Sequence, residues 1–306
     1  MDYKKIIKSR EIRIKIMQLL DFVPDKIMLY IQYYLKTKNV LHLKNPQRYT
    51  EKLQWYKLFY RNKLMKQCVD KYDVRQYIKD IGLDHILSEC YGVYDAVEDL
   101  RLEQLPEEFV LKDTLGGGGN SVLIVPDKNK FDWNTNYKKM NSWVHYSYEK
   151  KQPGREWVYD GKPHRIIVEE LLKADKNKGG LIDYKFFCFN GNFKYLYVVA
   201  DRELGRKAGL GIYDRNFNKL NYSRIDENKL ERYIEKPEKY ETMIEYAERI
   251  SKPFPHARVD LYNINGVIRF GEITFFDGSG YMTFDPDEFD YILGKEFIID
   301  CKDEVR

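Results

Sequence analysis

Little in this chain could staple or anchor it from outside its own core. Four cysteines, Cys68, Cys90, Cys188 and Cys301, stand far apart and form no CxxC pair, and the five histidines are scattered. That spacing excludes a disulfide framework and a Cys/His zinc site, so reduced, buried thiols are expected. No apolar run approaches the ~20 residues that a membrane span needs. The longest candidate, "LLDFVPDKIMLYIQYYL", is broken by Asp21, Pro24, Asp25 and Lys26. A core or interface helix is expected there, with a helix lying on a membrane surface as the alternative. The opening string "MDYKKIIKSREIRIKIMQLL" is charged throughout and lacks the apolar segment of a signal peptide. A cytoplasmic protein is expected on that ground, with the inner face of the membrane as a further location. Charge of one sign is also scarce: 52 Lys and Arg against 48 Asp and Glu leave +4. Without a basic stripe the chain does not read as a nucleic-acid binder, yet it remains suited to an anionic small ligand such as a nucleotide.

What is present is a globular composition, 43% hydrophobic and 33% charged, in 306 residues, a length that exceeds one typical core. The first eighty residues read as helical. In "NPQRYTEKLQWYKLFYRNKL", Pro46 marks a boundary and Thr50 stands as the helix start. "CVDKYDVRQYIKDIG" closes on Gly82, a helix stop. Strands are expected in "ILSECYGVY", "LPEEFVLKDT" and "NSVLIVPD", a helix over 131–150, and strands again in "HRIIVEELL", "DYKFFCF" and "FKYLYVVADRE". Asn190-Gly191 reads as a hairpin turn. A polar helix over 236–251, a hairpin from Arg258 and a closing helix in "DPDEFDYILGKEFI" complete an α+β pattern. Three segments follow: a helical region 1–82, one α+β subdomain 83–173 and a second 174–306.

Three elements carry chemistry. In "RVDLYNINGVIRFGEITFFDGSGYM", a two-residue turn at Asn265-Gly266 would put Glu272 on the face opposite Asp260. A three-residue loop, Ile264 to Gly266, with Gly266 as a bulge would set Arg258 opposite Glu272. Arg258, Asp260, Glu272 and Thr274 then share one face and Val259, Leu261, Ile273 and Phe275 the other, although Ile268 and Phe270 fall on the polar side. Because register follows the buried face, the three-residue loop is expected. Two carboxylates beside an arginine suit Mg²⁺ and a phosphoryl group; a solvated surface hairpin with a cross-strand ion pair is the alternative. In "EFVLKDTLGGGGNSVLIV", a strand delivers Lys112 to Gly116, Gly117, Gly118 and Gly119 before another strand. That order is not a Walker P-loop but a flap whose N–H groups can close over phosphates, or a plain mobile tip. In "RIIVEELL", the strand end Glu169, Glu170, Leu171, Leu172 offers a backbone hinge to an adenine edge, and Asp183 and Lys185 in "DYKFF" alternate onto one side, where they could meet a ribose and a phosphate.

In that order, these motifs make the chain resemble the ATP-grasp superfamily. The strings "NPQRYTEKLQWYKLFYRN", "DKYDVRQYI", "LPEEFVLKD", "IIVEELL", "DYKFFCFNG" and "ARVDLY…GEITFFDGSG" narrow the resemblance to its TupA-like (teichuronopeptide biosynthesis) branch, over about Asn45 to Phe284. The resemblance implies two α+β subdomains sandwiching ATP, and ATP with Mg²⁺ activating a carboxylate as an acyl phosphate that an amine converts to an amide. It implies Lys112 and Lys185 as phosphate-binding lysines, Gly116–Gly119 as flap, Glu169–Leu172 as hinge and Asp183 as ribose contact. Asp260, Glu272 and Thr274 stand at the metal positions, and Arg258 with Lys185 at the transferring phosphoryl group. Thr274 replaces the usual asparagine, and Leu115 stands where many members of the branch have histidine beside the first glycine. The branch implies a glycan-linked uronic acid as carboxylate, capsule or other surface-polysaccharide assembly as setting, and a glycosyltransferase or capsule-assembly protein as partner. A sugar kinase and a non-catalytic nucleotide-binding partner are the competing readings. Arg202 and Arg206 in "ADRELGRKAG" are candidates for an acidic acceptor.

Overall fold

The computed structural model describes residues 10–117, 121–146, 151–174, 180–201 and 208–299. Contacts divide the chain into two units, Met1–Asn62 with Lys150–Trp157 and Asp175–Arg306, and Lys63–Glu149 with Val158–Ala174. Residues 63–82, which the sequence groups with the N-terminal helices, thus fold with the strands that follow them.

The first unit opens with helices α1 (Arg10–Leu19), α2 (Asp25–Thr37) and α3 (Tyr49–Phe59). The second holds α4 (Lys63–Cys68) and α5 (Val74–Asp80), which ends with Gly82 at φ 70°. Then come β1 (Cys90–Tyr94), β2 (Phe109–Asp113), β3 (Val122–Val125), helix α6 (Trp133–Val144) and β4 (Ile166–Glu169). These strands form an antiparallel sheet of order β1-β4-β2-β3. Period-two alternation sends Phe109, Leu111, Ile166 and Val168 into one core with Met140 and Trp143 of α6. Lys112 and Glu169 are left on the opposite face.

The first unit continues with β5 (Asp183–Phe189), β6 (Asn192–Ala200), β7 (Gly209–Asp214), β8 (Ser223–Arg224) and β9 (Asn228–Lys229). Helix α7 (Tyr240–Ser251), β10 (His256–Ile264), β11 (Val267–Thr274), β12 (Phe284–Asp285) and α8 (Glu288–Glu296) close it. Its main sheet runs β11-β10-β5-β6-β7-β9, and β12 pairs with β8 separately. Phe186 and Cys188 meet α7 on one side, through the Tyr240 ring and the Ala247 carbonyl. On the other side Phe187, Phe189 and His256 lie against Tyr49 of α3. The architecture is α+β, as the sequence implied.

The start of α3 differs in detail from expectation. Glu51, not Thr50, caps it: its carboxylate accepts the N–H groups of Gln47 (2.9 Å) and Arg48 (3.1 Å). Thr50 instead binds Asp290 of α8, through its N–H at 2.9 Å and its hydroxyl at 2.7 Å. Gly294 lets the two helices touch, because a Cβ there would stand 2.1 Å from the Gln47 carbonyl oxygen. Burial pushes the Asp290 carboxyl up to about 6, against the hydrogen bonds from Thr50 and the charge of Arg48. A carboxyl whose pKa is raised on folding binds protons that the unfolded chain does not, so its contribution to stability grows as pH falls from about 7 towards 4. At ~1.4 kcal/mol per pKa unit the gain is on the order of 2–3 kcal/mol. Asp290→Asn is already neutral and is expected to lose that part of the acid stabilisation. Chemical denaturation of both proteins at pH 7 and pH 5 checks it, and an equal pH dependence in the two would refute it.

Candidate functional site

The β10–β11 hairpin turns on two residues, not three. Ile264 pairs with Val267, and Asn265 (φ 49°) and Gly266 (φ 79°) are both left-handed, as a type I′ turn requires. The expected bulge at Gly266 is therefore absent. It occurs instead at Gly271, where pairing slips from Leu261–Phe270 to Asp260–Glu272. A side chain at 271 would meet the Asp260 carbonyl oxygen at 2.9 Å, which accounts for the glycine. The slip restores what the turn alone would have undone. Arg258, Asp260, Glu272 and Thr274 share a face after all, with Arg258 opposite Thr274 rather than Glu272. The two-residue turn itself sets Phe270 opposite Leu261 and Ile268 on the same, apolar side, where both are buried.

On the polar face the charges form one network. The Arg258 guanidinium donates through Nε and Nη2 to the two oxygens of Asp260, each at 2.8 Å, and through Nη1 to Asp277. From β5, Lys185 donates to Asp260 and stands 2.6 Å from Asp183. Register explains the meeting, since Asp260 pairs directly with Lys185 across β10 and β5. Burial alone would raise the Asp260 carboxyl, but Arg258 and Lys185 outweigh it and hold it below the usual carboxylate range. Burial likewise works against the Lys185 ammonium, and Asp183 and Asp260 overcome it. Asp260 is 1% exposed, whereas the Glu272 side chain is 40% exposed.

The residues expected to hold a metal surround a cation of the protein's own. Arg258 Nη2 lies 2.8 Å from Asp260, 3.0 Å from the Thr274 hydroxyl and 3.4 Å from Glu272. The point common to all three is thus filled by a guanidinium nitrogen, and a divalent ion would compete for the same place. Among the described residues no three His, Cys, Asp or Glu side chains converge in a metal-holding group. As placed, Asp260, Glu272 and Thr274 do not fit an Mg²⁺ site. Arg258 is also turned inward, bound to Asp260 and Asp277, rather than towards solvent.

In the second unit Lys112 donates to Glu169 at 2.8 Å, and Arg75 meets the same carboxylate at 3.1 Å. Glu169 therefore begins the expected hinge as a paired, buried anion. After it, the Glu170 N–H donates to the Glu89 carbonyl, while the peptide groups of Leu171 and Leu172 enter no backbone hydrogen bond among the described residues. Gly116 closes a turn onto Asp113 and its carbonyl accepts from Lys71 at 2.5 Å; among the described residues nothing stands where a side chain at Gly117 would be. Gly118, Gly119, Arg202 and Arg206 lie outside the described residues. Leu115 is buried.

Several residues were missed by sequence reasoning. Asp277 links Arg258 to Arg224, whose Nη1 lies 3.5 Å from it, and Arg224 also pairs with Asp226 at 2.7 Å. Nothing local in "FFDGSG" says that its aspartate turns back to β10. Lys57, 1% exposed, donates to the carbonyls of Gly154 (2.9 Å) and Ser279 (2.7 Å), and burial pushes its pKa down to about 7. It holds the loop in which Gly278, Ser279 and Gly280 are all left-handed. His164, just before β4, sets Nδ1 2.8 Å from Asp113, and its Nε2 is buried with no hydrogen-bond partner among the described residues. An imidazole thus reaches the base of the flap from the segment leading into β4, although none stands beside the first glycine.

The family model described as TupA-like ATPgrasp matches residues 51–298. No curated protein matches the chain in sequence. Among solved structures, D-alanine–D-alanine ligase from Bacillus anthracis is 18% identical, with a TM-score of 0.44, over 68% of this chain and 57% of that one. The Helicobacter pylori enzyme of the same name is 14% identical, TM-score 0.42, over 76% and 61%. Phosphoribosylamine–glycine ligase from Thermotoga maritima is 14% identical, TM-score 0.42, over 69% and 48%. The chain thus spans about half to three-fifths of the length of these structures.

Proposed function

The chain belongs to the TupA-like ATP-grasp family, and from that premise we propose that it is an ATP-dependent carboxylate–amine ligase. The carboxylate we assign is a glycan-linked uronic acid and the nucleophile an amino acid or amine, in the assembly of a bacterial capsule or other surface polysaccharide. The observation that supports this reading best is the polar face of β5, β10 and β11. It gathers Lys185 and Arg258 around buried acids and leaves Glu272 half-open at its edge.

In the first step a carboxylate oxygen attacks the γ-phosphorus of ATP, the bond to the β-phosphate oxygen breaks, and ADP leaves an acyl phosphate. The amine nitrogen then attacks the acyl carbon, loses a proton and expels inorganic phosphate. No side chain is used as a covalent nucleophile; the protein supplies alignment and charge. Lys112 and Lys185 take the phosphates, with Gly116 and Gly117 at the flap. The peptide groups of Leu171 and Leu172, which enter no backbone hydrogen bond among the described residues, take the adenine edge, Asp183 the ribose, and Arg258 the charge developing on the transferred phosphoryl group. Each cation would exchange a carboxylate partner for a phosphate oxygen, an exchange between anions rather than a bare desolvation. ATP enters as its Mg²⁺ salt.

Incubating the protein with ATP, Mg²⁺, a uronic-acid sugar and an amine tests the reading. A ligase releases ADP and free phosphate only when both co-substrates are present. Phosphate retained on the sugar would make the protein a kinase, and ATP binding without turnover a non-catalytic nucleotide-binding partner. In the same system Lys112→Ala is expected to weaken ATP binding about tenfold or more, the scale of one charge-assisted phosphate contact, while Arg75 still pairs with Glu169 and limits the loss of stability. Unchanged nucleotide affinity would remove Lys112 from the site.

A further inference from the structure

The first unit carries an apolar surface that its described residues leave uncovered. In α2, Met28, Leu29 and Tyr33 are buried, the last two in one core with Leu41, Leu43 and Trp55. The other side of the same helix shows Ile27, Tyr30, Ile31, Tyr34 and Leu35, all exposed, at the three-and-four spacing of a single stripe. Ahead of it, α1 and its exit expose Ile12, Ile16, Leu19 (72%) and Phe22 (81%). A soluble surface helix alternates an apolar with a polar face; α2 is apolar on both. Neither helix is long and apolar enough to cross a membrane.

Charge decides what covers this surface. Residues 1–38 contain nine Lys and Arg against four Asp and Glu, whereas the remaining 268 contain 43 against 44. The excess positive charge of the whole chain therefore sits in the segment that exposes the apolar stripes, and Lys26 and Lys38 are themselves exposed beside them. A second copy of the chain would bring two cationic segments together, which like-charge repulsion opposes. Apolar stripes with tyrosines and flanking lysines match the boundary of an anionic bilayer, where side chains enter the acyl region and ammonium groups meet headgroup phosphates.

We propose that α1 and α2 lie in the surface of an anionic lipid bilayer and hold the protein there as a peripheral membrane protein. The binding combines two terms, apolar insertion and electrostatic attraction, so it depends on both lipid charge and salt.

Co-sedimentation of the full chain with sonicated vesicles tests this, using phosphatidylcholine alone and phosphatidylcholine mixed with phosphatidylglycerol. Binding to the mixed vesicles, at least about tenfold weaker to the neutral ones and weakened by salt, is expected. The double variant Phe22→Ser, Ile31→Ser is expected to lose about tenfold or more of that binding. Because both side chains are exposed, its thermal unfolding midpoint is expected to stay unchanged, which separates lost docking from lost folding. No binding of the parent chain to mixed vesicles would overturn the proposal, as would equal binding by the double variant. A concentration-dependent dimer in light scattering that the two substitutions abolish would also overturn it, assigning the surface to a second copy of the chain.

Discussion

Asp260→Asn is expected to destabilise the first unit by about 3–5 kcal/mol, the cost of breaking a buried ion pair from one side. The side chain is 1% exposed and accepts from both Arg258 and Lys185. An asparagine keeps one acceptor oxygen but turns an NH₂ group towards cationic donors and removes the charge that holds them. Arg258 keeps Asp277 and Lys185 keeps Asp183, so the loss is partial rather than complete. For a unit of this size the shift in unfolding midpoint is on the order of 10 °C. A polar position on a sheet face would tolerate the exchange, and from the sequence this substitution would pass as neutral to the fold. Burial reverses that expectation. A midpoint within about 2 °C of the parent protein would mean that the network contributes little to stability.

Glu272→Gln is the cleaner probe of function. Its side chain is 40% exposed and its contact with Arg258, at 3.4 Å, is the longest of that arginine's polar contacts. Stability is expected to change by less than about 1 kcal/mol, the scale of an exposed pair. On the proposed function, ATP-dependent product formation is expected to fall about a hundredfold or more, because Glu272 helps to hold Arg258 at the transferring phosphoryl group, where small misplacements are costly. Steady-state turnover measured beside thermal unfolding separates the two effects. Near-normal turnover would remove Glu272 from the site. Loss of both turnover and stability would make it a structural partner of Arg258.

Much of the site was legible because β-strand side chains alternate with period two. Alternation alone puts Lys112 with Glu169, and Asp183 with Lys185, on single faces once the strands are placed. Gly271 shows where local reading stopped. A lone glycine inside a strand pattern is a bulge signal, and "RFGEIT" carries one, but the sequence reading spent its single bulge on Gly266. It reached the right face through the wrong turn. Asp277, Arg224, His164 and Lys57 were not legible, since the contacts Arg258–Asp277, Arg224–Asp277, His164–Asp113 and Lys57–Gly154 span 19 to 97 residues and no spacing rule connects such positions.

By itself the sequence determined the α+β class, the family and the elements that carry Lys112, Lys185, Arg258, Asp260 and Glu272, because alternation, turn residues and motif order are local properties of a chain. Only the tertiary structure decided what those charges do in the folded protein. Asp260 is buried between two cations, Arg258 occupies the point where a metal was expected, and the stripes of α1 and α2 stay uncovered. Burial and pairing depend on what the rest of the chain brings alongside, and it is desolvation, not residue type, that decides whether a carboxylate holds an arginine or waits for a ligand.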